Sequence, residues 1–226
     1  MGGNISMEGG LDNDSDGTTS TLASTHPNTH PNTHPNNSLR MSREPVKSFI
    51  INIIGGPGIG KSTLYSLIYA RMKIRRLSVE QVQEFAKKLV WSEQFDVLDN
   101  QYYVSQQQYC DLASVYGKVT FVITDGSLLH GLYYNRNNPT NVCNREITEA
   151  RIIELYSKFN NINILLTRGT FPYEQAGRIQ NASEAVDVDR ELIVLLSTYN
   201  IPFKMFASHE SQVDAIIEYI LEQSRI

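Results

Sequence analysis

Cysteine is scarce in this chain: 226 residues contain two, Cys110 and Cys143, with no further pair to complete a metal-ligand spacing. That excludes a disulfide-built scaffold and fits a reducing compartment, so a cytoplasmic protein is expected. No apolar run reaches the length that a bilayer crossing needs, and the first residues lack the basic-then-apolar order of a secretory signal. Excess charge of one sign is also missing. Lys+Arg total 20 against 24 Asp+Glu, a net charge of −4, and from Pro45 onward the two nearly cancel. A broad basic face for nucleic acid is thereby disfavoured, while a small basic channel still fits within a balanced total.

The N-terminal segment, residues 1–44, has little that a core could use. It is rich in Ser, Thr, Asn, Gly and Asp and carries Thr-His-Pro-Asn three times, from Thr25, Thr29 and Thr33. Such composition buries too little apolar surface to offset the entropy of ordering, so a disordered tail is expected, followed by one folded domain over 45–226. His26, His30 and His34 within the repeats receive no function. Met1-Gly2-Gly3-Asn4-Ile5-Ser6 matches the loose N-myristoylation pattern at Gly2, the sole route by which a membrane enters this reading. Met41 begins a plausible shorter product.

What is present is concentrated between Ile50 and Ser66, INIIGGPGIGKSTLYSL. An apolar run from Phe49 to Ile54 reads as a buried parallel strand, and Gly55, Gly60, Lys61 and Ser62 satisfy G-x-x-x-x-G-K-[ST], the P-loop pattern, before a helix. The segment Gly55, Gly56, Pro57, Gly58, Ile59, Gly60, Lys61, Ser62 and Thr63 is expected to cradle a nucleoside triphosphate. Glycines let backbone N–H groups converge on phosphate oxygens, and the helix turns its positive end to the same place. Lys61 is expected on the β- and γ-phosphates of ATP and Ser62 on Mg²⁺. Leu64, Leu67, Ile68 and Met72 at helical spacing would pack the following helix on a sheet. The basic run from Arg71 to Arg76 then serves its C-terminal dipole and solvation.

Further elements follow in alternation. Leu77–Val82 reads as a strand ending near Glu84, which suits either of two roles: a base that takes a hydroxyl proton, or a residue at the start of the helix expected over Phe85–Trp91. Trp91, Phe95, Tyr102 and Tyr103 fit a wall for a planar base or core packing. Leu98–Tyr116 reads as one long helix, on which Gln101 or Gln108 would read a base edge or lie on a polar face. Val119–Thr124 is a strand ending at Asp125-Gly126-Ser127, where Asp125 would hold Mg²⁺ through its waters or cap a helix over Ser127–Tyr134. Gly126 supplies no adjacent acid to activate water as motor-type ATPases require, and no Asn-Lys-x-Asp base reader or suitably placed Asp-x-x-Gly switch supports a GTPase. Asn135–Asn144 reads as an Asn-rich loop. Glu146–Phe159 is expected to be helical and Ile162–Leu166 a strand that runs into Thr167-Arg168-Gly169. Arg168 and Arg178, on a glycine-punctuated segment, suit a mobile lid that clamps phosphates, or ordinary pairing with Glu174 or Glu184. A helix near Ser183–Tyr199, a strand over Pro202–Phe206 and a helix over Val213–Leu221 complete the chain.

With GGPGIGKST, QEFAKKLVW, LDNQYYV, ITDGSLL and LTR…GRIQ…EA in place, the chain from about Ser48 onward resembles the P-loop nucleoside and nucleotide kinase superfamily. More narrowly, it is similar to small AAA-like P-loop proteins of bacteriophages and other large DNA viruses. These look like kin of nicotinamide-riboside and deoxynucleoside kinases and of kinases acting on hydroxymethyl-pyrimidines in DNA. The resemblance implies a three-layer α/β fold with a five-stranded parallel sheet, a central P-loop strand and an arginine-bearing lid. It further implies Lys61 and Ser62 on ATP·Mg²⁺, Glu84 and Asp125 near the acceptor or metal, and Arg168 and Arg178 over the phosphates. Deoxynucleoside kinases usually carry Arg where Gly126 stands, which bears on the acceptor. The reading is therefore an ATP-dependent phosphotransferase acting on a nucleoside, nucleotide or related small acceptor. DNA, polynucleotide ends, or a nucleotide switch with a protein partner are the alternatives.

Overall fold

The structure, a computed structural model, describes residues 44–225 except 175 and 177. The expectations for the N-terminal repeats, for Gly2, for Met41 and for Gly177 fall outside the described residues. Five parallel strands, β1 (Phe49–Ile54), β2 (Val79–Val82), β3 (Phe121–Thr124), β4 (Asn161–Thr167) and β5 (Lys204–Ala207), form one sheet in the order β2-β3-β1-β4-β5. Among the described residues, eight α-helices connect and flank them: α1 (Lys61–Ile74), α2 (Phe85–Trp91), α3 (Phe95–Leu98), α4 (Gln101–Val115), α5 (His130–Asn137), α6 (Arg145–Tyr156), α7 (Ala182–Thr198) and α8 (Val213–Ser224).

Alternation along β1 explains the three layers. Phe49, Ile51 and Ile53 pack with Leu64, Ile68 and Met72 of α1 and Ile216, Ile217 and Ile220 of α8. Ile50 and Ile54 face the other way, onto Leu112, Leu132, Ile152, Leu155 and Leu192 from α4, α5, α6 and α7. All six β1 residues are buried, as a central parallel strand covered on both faces requires. Asn52 is the polar exception. Its Nδ2 donates to Asn161 Oδ1 and Asn163 Oδ1, both at 3.0 Å, so the buried amide is paired across β1 and β4.

Several boundaries depart from the sequence expectation for local reasons. The stretch Leu98–Tyr116 is not one helix, because the Asn100 side chain accepts the Tyr103 N–H at 2.9 Å and starts α4 afresh after the short α3. Helix α5 begins at His130, not Ser127, and continues to Asn137, so the Asn-rich stretch is helical at its start. The last strand lies beyond Pro202, at Lys204–Ala207. Leu67 is 39% exposed, while Tyr65 joins the α1 core face. Chain order reverses between β3 and β4 around β1, which opens the crevice at the strands' carboxyl ends where ligands bind in open α/β sheets.

Candidate functional site

The turn from β1 into α1 is shaped by glycine. Gly58 has φ +69° and Gly60 φ +95°, left-handed values that suit residues without a Cβ. Gly60 starts α1 without a side-chain cap, and no acidic residue lies in its first turn. The leading N–H groups of α1 therefore face outward to an anion. Lys61 folds back over the loop, its Nζ donating to Gly55 O at 2.8 Å and Gly56 O at 3.0 Å. Burial pushes the Lys61 ammonium below its ordinary pKa, and Glu84, Asp125 and Asp189 pull it back up.

Residues from three strand ends meet there. Ser62 Oγ donates to Asp125 Oδ2 at 2.7 Å, and the Glu84 N–H donates to Asp125 Oδ1 at 3.2 Å. Asp125 is thus tied to α1 and to the start of α2, and it does not cap α5, whose first residue lies five positions on. Lys87, one helical turn after Glu84, places its Nζ 3.1 Å from Ser62 Oγ. Glu84 holds the N-cap position of α2 but makes no side-chain cap. Its carboxylate instead lines a cavity of about 630 Å³, and burial raises its pKa above the usual carboxylate range, with Asp125 adding to the rise and Lys61 and Lys87 opposing it. Ala86, Val90, Trp91, Phe95 and Leu98 add apolar and aromatic surface to the cavity wall, alongside polar residues such as Gln101 and Asn138. Ser62 and Asp125 offer the pair of hard oxygens that Mg²⁺ takes when waters and phosphates complete its shell.

The two arginines part company. Arg168 does not pair with Glu184: its Nε lies 2.7 Å from Asp189 Oδ2, and its Nη2 donates to Pro57 O at 3.1 Å and Ala185 O at 2.8 Å. Asp189 Oδ1 in turn accepts the Gly56 N–H at 2.7 Å, so the pair ties the P-loop to α7. Arg178 lies on the cavity wall, stacked over the Tyr173 ring at 5.7 Å and 3.8 Å from the Glu174 carboxylate. A Cβ on Gly58 would strike that same Tyr173 ring, which places the segment directly over the loop.

Lys61, Ser62, Glu84, Asp125 and Arg178 thus converge, and of the other expected residues Trp91, Phe95 and Gln101 line the cavity whereas Tyr102, Tyr103 and Gln108 do not. Trp91 and Phe95 line the cavity at 63% and 46% exposure, so they are not core, and Tyr102 and Tyr103 stand outside its wall. Gln108 is buried and its amide is consumed locally, accepting from Phe85 N at 2.8 Å and donating to Gln83 O at 3.3 Å. Gln101 is buried too, its Nε2 donating to Leu98 O at 2.7 Å, so neither glutamine lies on a polar face. Both cysteines are free thiols, Cys110 exposed and Cys143 partly so. Sequence reasoning missed Lys87, His130 and Asp189. The spacing of three from Glu84 was a signal for Lys87; His130, whose Nε2 accepts the Gly55 N–H at 3.3 Å, and Asp189 gave no local one.

No curated protein matches the sequence. Among solved structures the fold is similar to NadR protein in complex with NAD and AMP-PNP, with TM-score 0.56 and 14% identity, covering 76% of this chain and 49% of that one. It is equally similar to NadR protein in complex with NR, with TM-score 0.56 and 15% identity, covering 76% and 52%. The chain spans about half the length of these NadR chains, and at such identities the likeness concerns the fold alone. The AAA domain family matches residues 50–212, across β1, the P-loop, the Asp125 strand end and α7. On that match the chain belongs to the AAA domain family of P-loop NTPases.

Proposed function

We propose that this protein is an ATP·Mg²⁺-dependent phosphotransferase that moves the γ-phosphoryl group of ATP to a hydroxyl of a nucleoside, nucleotide or related small acceptor. The carrying observation is the placement of Glu84. A carboxylate of raised pKa lines the same cavity of about 630 Å³ as Lys61 and Ser62 on one hand and the apolar and aromatic side chains of Val90, Trp91 and Phe95 on the other. A hydrolase needs only water at that point. An arm built from Val90, Trp91 and Phe95 suits the planar body of an acceptor.

In this reading Lys61 and the amides of residues 58–62 hold the β- and γ-phosphates, and Lys87, 3.1 Å from Ser62 Oγ, adds a second cation beside the loop. Ser62 and Asp125 would hold Mg²⁺, which when bound neutralises charge on the phosphate oxygens. Glu84 takes the acceptor's proton as the acceptor oxygen bonds to the γ-phosphorus. The bond from that phosphorus to the bridging oxygen breaks, and its electron pair leaves on ADP. Arg178, stacked on the Tyr173 ring that covers Gly58, would meet the transferring group on closure of the segment. Arg168 acts behind the loop through Asp189, as a positioning residue and not a phosphate clamp. AMP-PNP in one NadR structure and NR in the other, together with the resemblance to phage kinases, support a nucleotide and a small acceptor as the pair.

A metabolite screen with γ-labelled ATP tests the reading. One acceptor or acceptor class should gain label, and Glu84→Gln should lose that label while retaining nucleotide binding. ADP release that ignores every nucleoside, nucleotide and hydroxymethylated DNA offered would overturn it.

A further inference from the structure

A second cavity, of about 30 Å³, lies beside the main one, with Glu84, Gln101 and Tyr134 contributing to the walls of both. Its lining also includes Ser105 of α4 and His130 of α5, which are 3% and 6% exposed. Ser105 Oγ and His130 Nδ1 are buried with no hydrogen-bond partner among the described residues. Folded interiors rarely leave such groups unpaired, because each has given up water without replacement.

The proton on His130 can be assigned. The Gly55 N–H donates to Nε2, so that nitrogen is the acceptor and Nδ1 carries the hydrogen. Burial first, and the nearby Lys61 second, push the ring's pKa down to about 3, which keeps it in this neutral form. The Gln108 amide in the same lining is already committed to Phe85 and Gln83. Of the polar side chains lining the cavity, an N–H donor and a hydroxyl are thus left without a partner, and an oxygen with lone pairs is the ligand atom that both can bond. The volume suffices, since a water needs roughly 10–15 Å³ of such space.

We propose that this annex is a binding site for a single oxygen atom held between His130 Nδ1–H and Ser105 Oγ, supplied by an ordered water in the free protein and by a ligand carbonyl when the main cavity fills. The ligand half rests on the phosphotransferase reading; the oxygen site itself does not. A carbonyl entering from beside Glu84 satisfies both groups, whereas an amino group in its place turns hydrogens toward the His130 N–H. The annex thus selects ligands whose ring edge offers a carbonyl there. The site also has a route to the P-loop. The same imidazole bonds the Gly55 N–H, and Gly55 O accepts from Lys61.

A high-resolution crystal structure of the full chain without ligand tests the site independently of any catalysis. Density for one oxygen within hydrogen-bonding distance of both atoms is expected, and an empty annex would overturn the proposal. In solution, ¹⁵N-histidine NMR should report His130 protonated on Nδ1 at neutral pH; an Nε2–H ring would overturn it. The source of the oxygen is separated by calorimetry on two pairs of probes, uridine with cytidine and inosine with adenosine, which needs no turnover. The carbonyl member of one pair should bind at least about tenfold more tightly, and Ser105→Ala should shrink that preference. Equal affinities within both pairs would overturn the ligand carbonyl as an occupant. Oxygen density in the annex alongside failed phosphotransfer to every acceptor would uphold the site while removing the kinase reading.

Discussion

Glu84 is a surface-type residue partly buried by its neighbours at the wall of the cavity. Because burial raises its pKa, the carboxylate is a stronger base than an ordinary glutamate, yet it must be ionised to take a proton. The acid limb of kcat/KM should therefore lie above the usual glutamate range, and Glu84→Gln should lower transfer by about 10²–10⁴-fold and erase that limb in a pH-rate profile. His130 gives a stability signature of the opposite sense. Its folded pKa, pushed down to about 3 from 6.5, means that the unfolded chain binds the extra proton. That stability is fully present above the unfolded value and is lost as pH falls toward the folded one. Thermal unfolding of the wild type between pH 6.5 and 5.5 should show a loss of about 1 kcal/mol that His130→Gln lacks. Gly126 was legible only as an absent acid or arginine. A Cβ there would lie 2.5 Å from Glu84 Cα and 2.9 Å from Glu84 Cβ, so the position is glycine because the β2–α2 junction crosses it. Gly126→Ala should destabilise by about 1–3 kcal/mol in denaturant unfolding, through displacement of the Glu84 backbone.

At the scale of elements, the junction of β2 and α2 decides where Glu84 points, and α4 holds that junction through one side chain. Gln108→Ala would leave the Phe85 N–H and the Gln83 carbonyl without their partner, at a cost of about 2 kcal/mol. In steady-state kinetics that variant should lose kcat with the KM for ATP retained, since the P-loop is untouched. Strands β1, β3 and β4 were readable because apolar runs bounded by turn residues have few alternatives. The break between α3 and α4 was not. Periodicity continues across it, and only the Asn100 cap, a local hydrogen bond, interrupts the helix. The lid expectation divided for a similar reason. Arg168 and Arg178 look alike in sequence, and what separates them is an Asp189 contributed by α7.

For the molecule as a whole, the sheet order places the phosphate loop where the chain order of the parallel strands switches from one side of β1 to the other, with the cavity and the Arg168–Asp189 tie both reaching the loop. A ligand held there by several elements should stabilise all of them together. ATP·Mg²⁺ at about 100 times its dissociation constant should add about 2.7 kcal/mol, a rise of roughly 5–10 °C in Tm for a domain of this size. Lys61→Ala should lose most of that rise while unfolding, without ligand, close to the wild type. A variant that keeps the full shift would remove Lys61 from nucleotide binding. The sequence by itself determined the strand-loop-helix of the P-loop, the alternating α/β order and the identity of Lys61 and Ser62, because these depend on neighbours a few residues apart, where pattern and backbone geometry suffice. Only the tertiary structure decided that Lys87 reaches Ser62, that the Gln108 amide bonds Phe85 and Gln83, that Arg168 pairs with Asp189, and that Ser105 and His130 line one cavity. Those relations join side chains from different strands and helices, and their distances are set by how the layers pack.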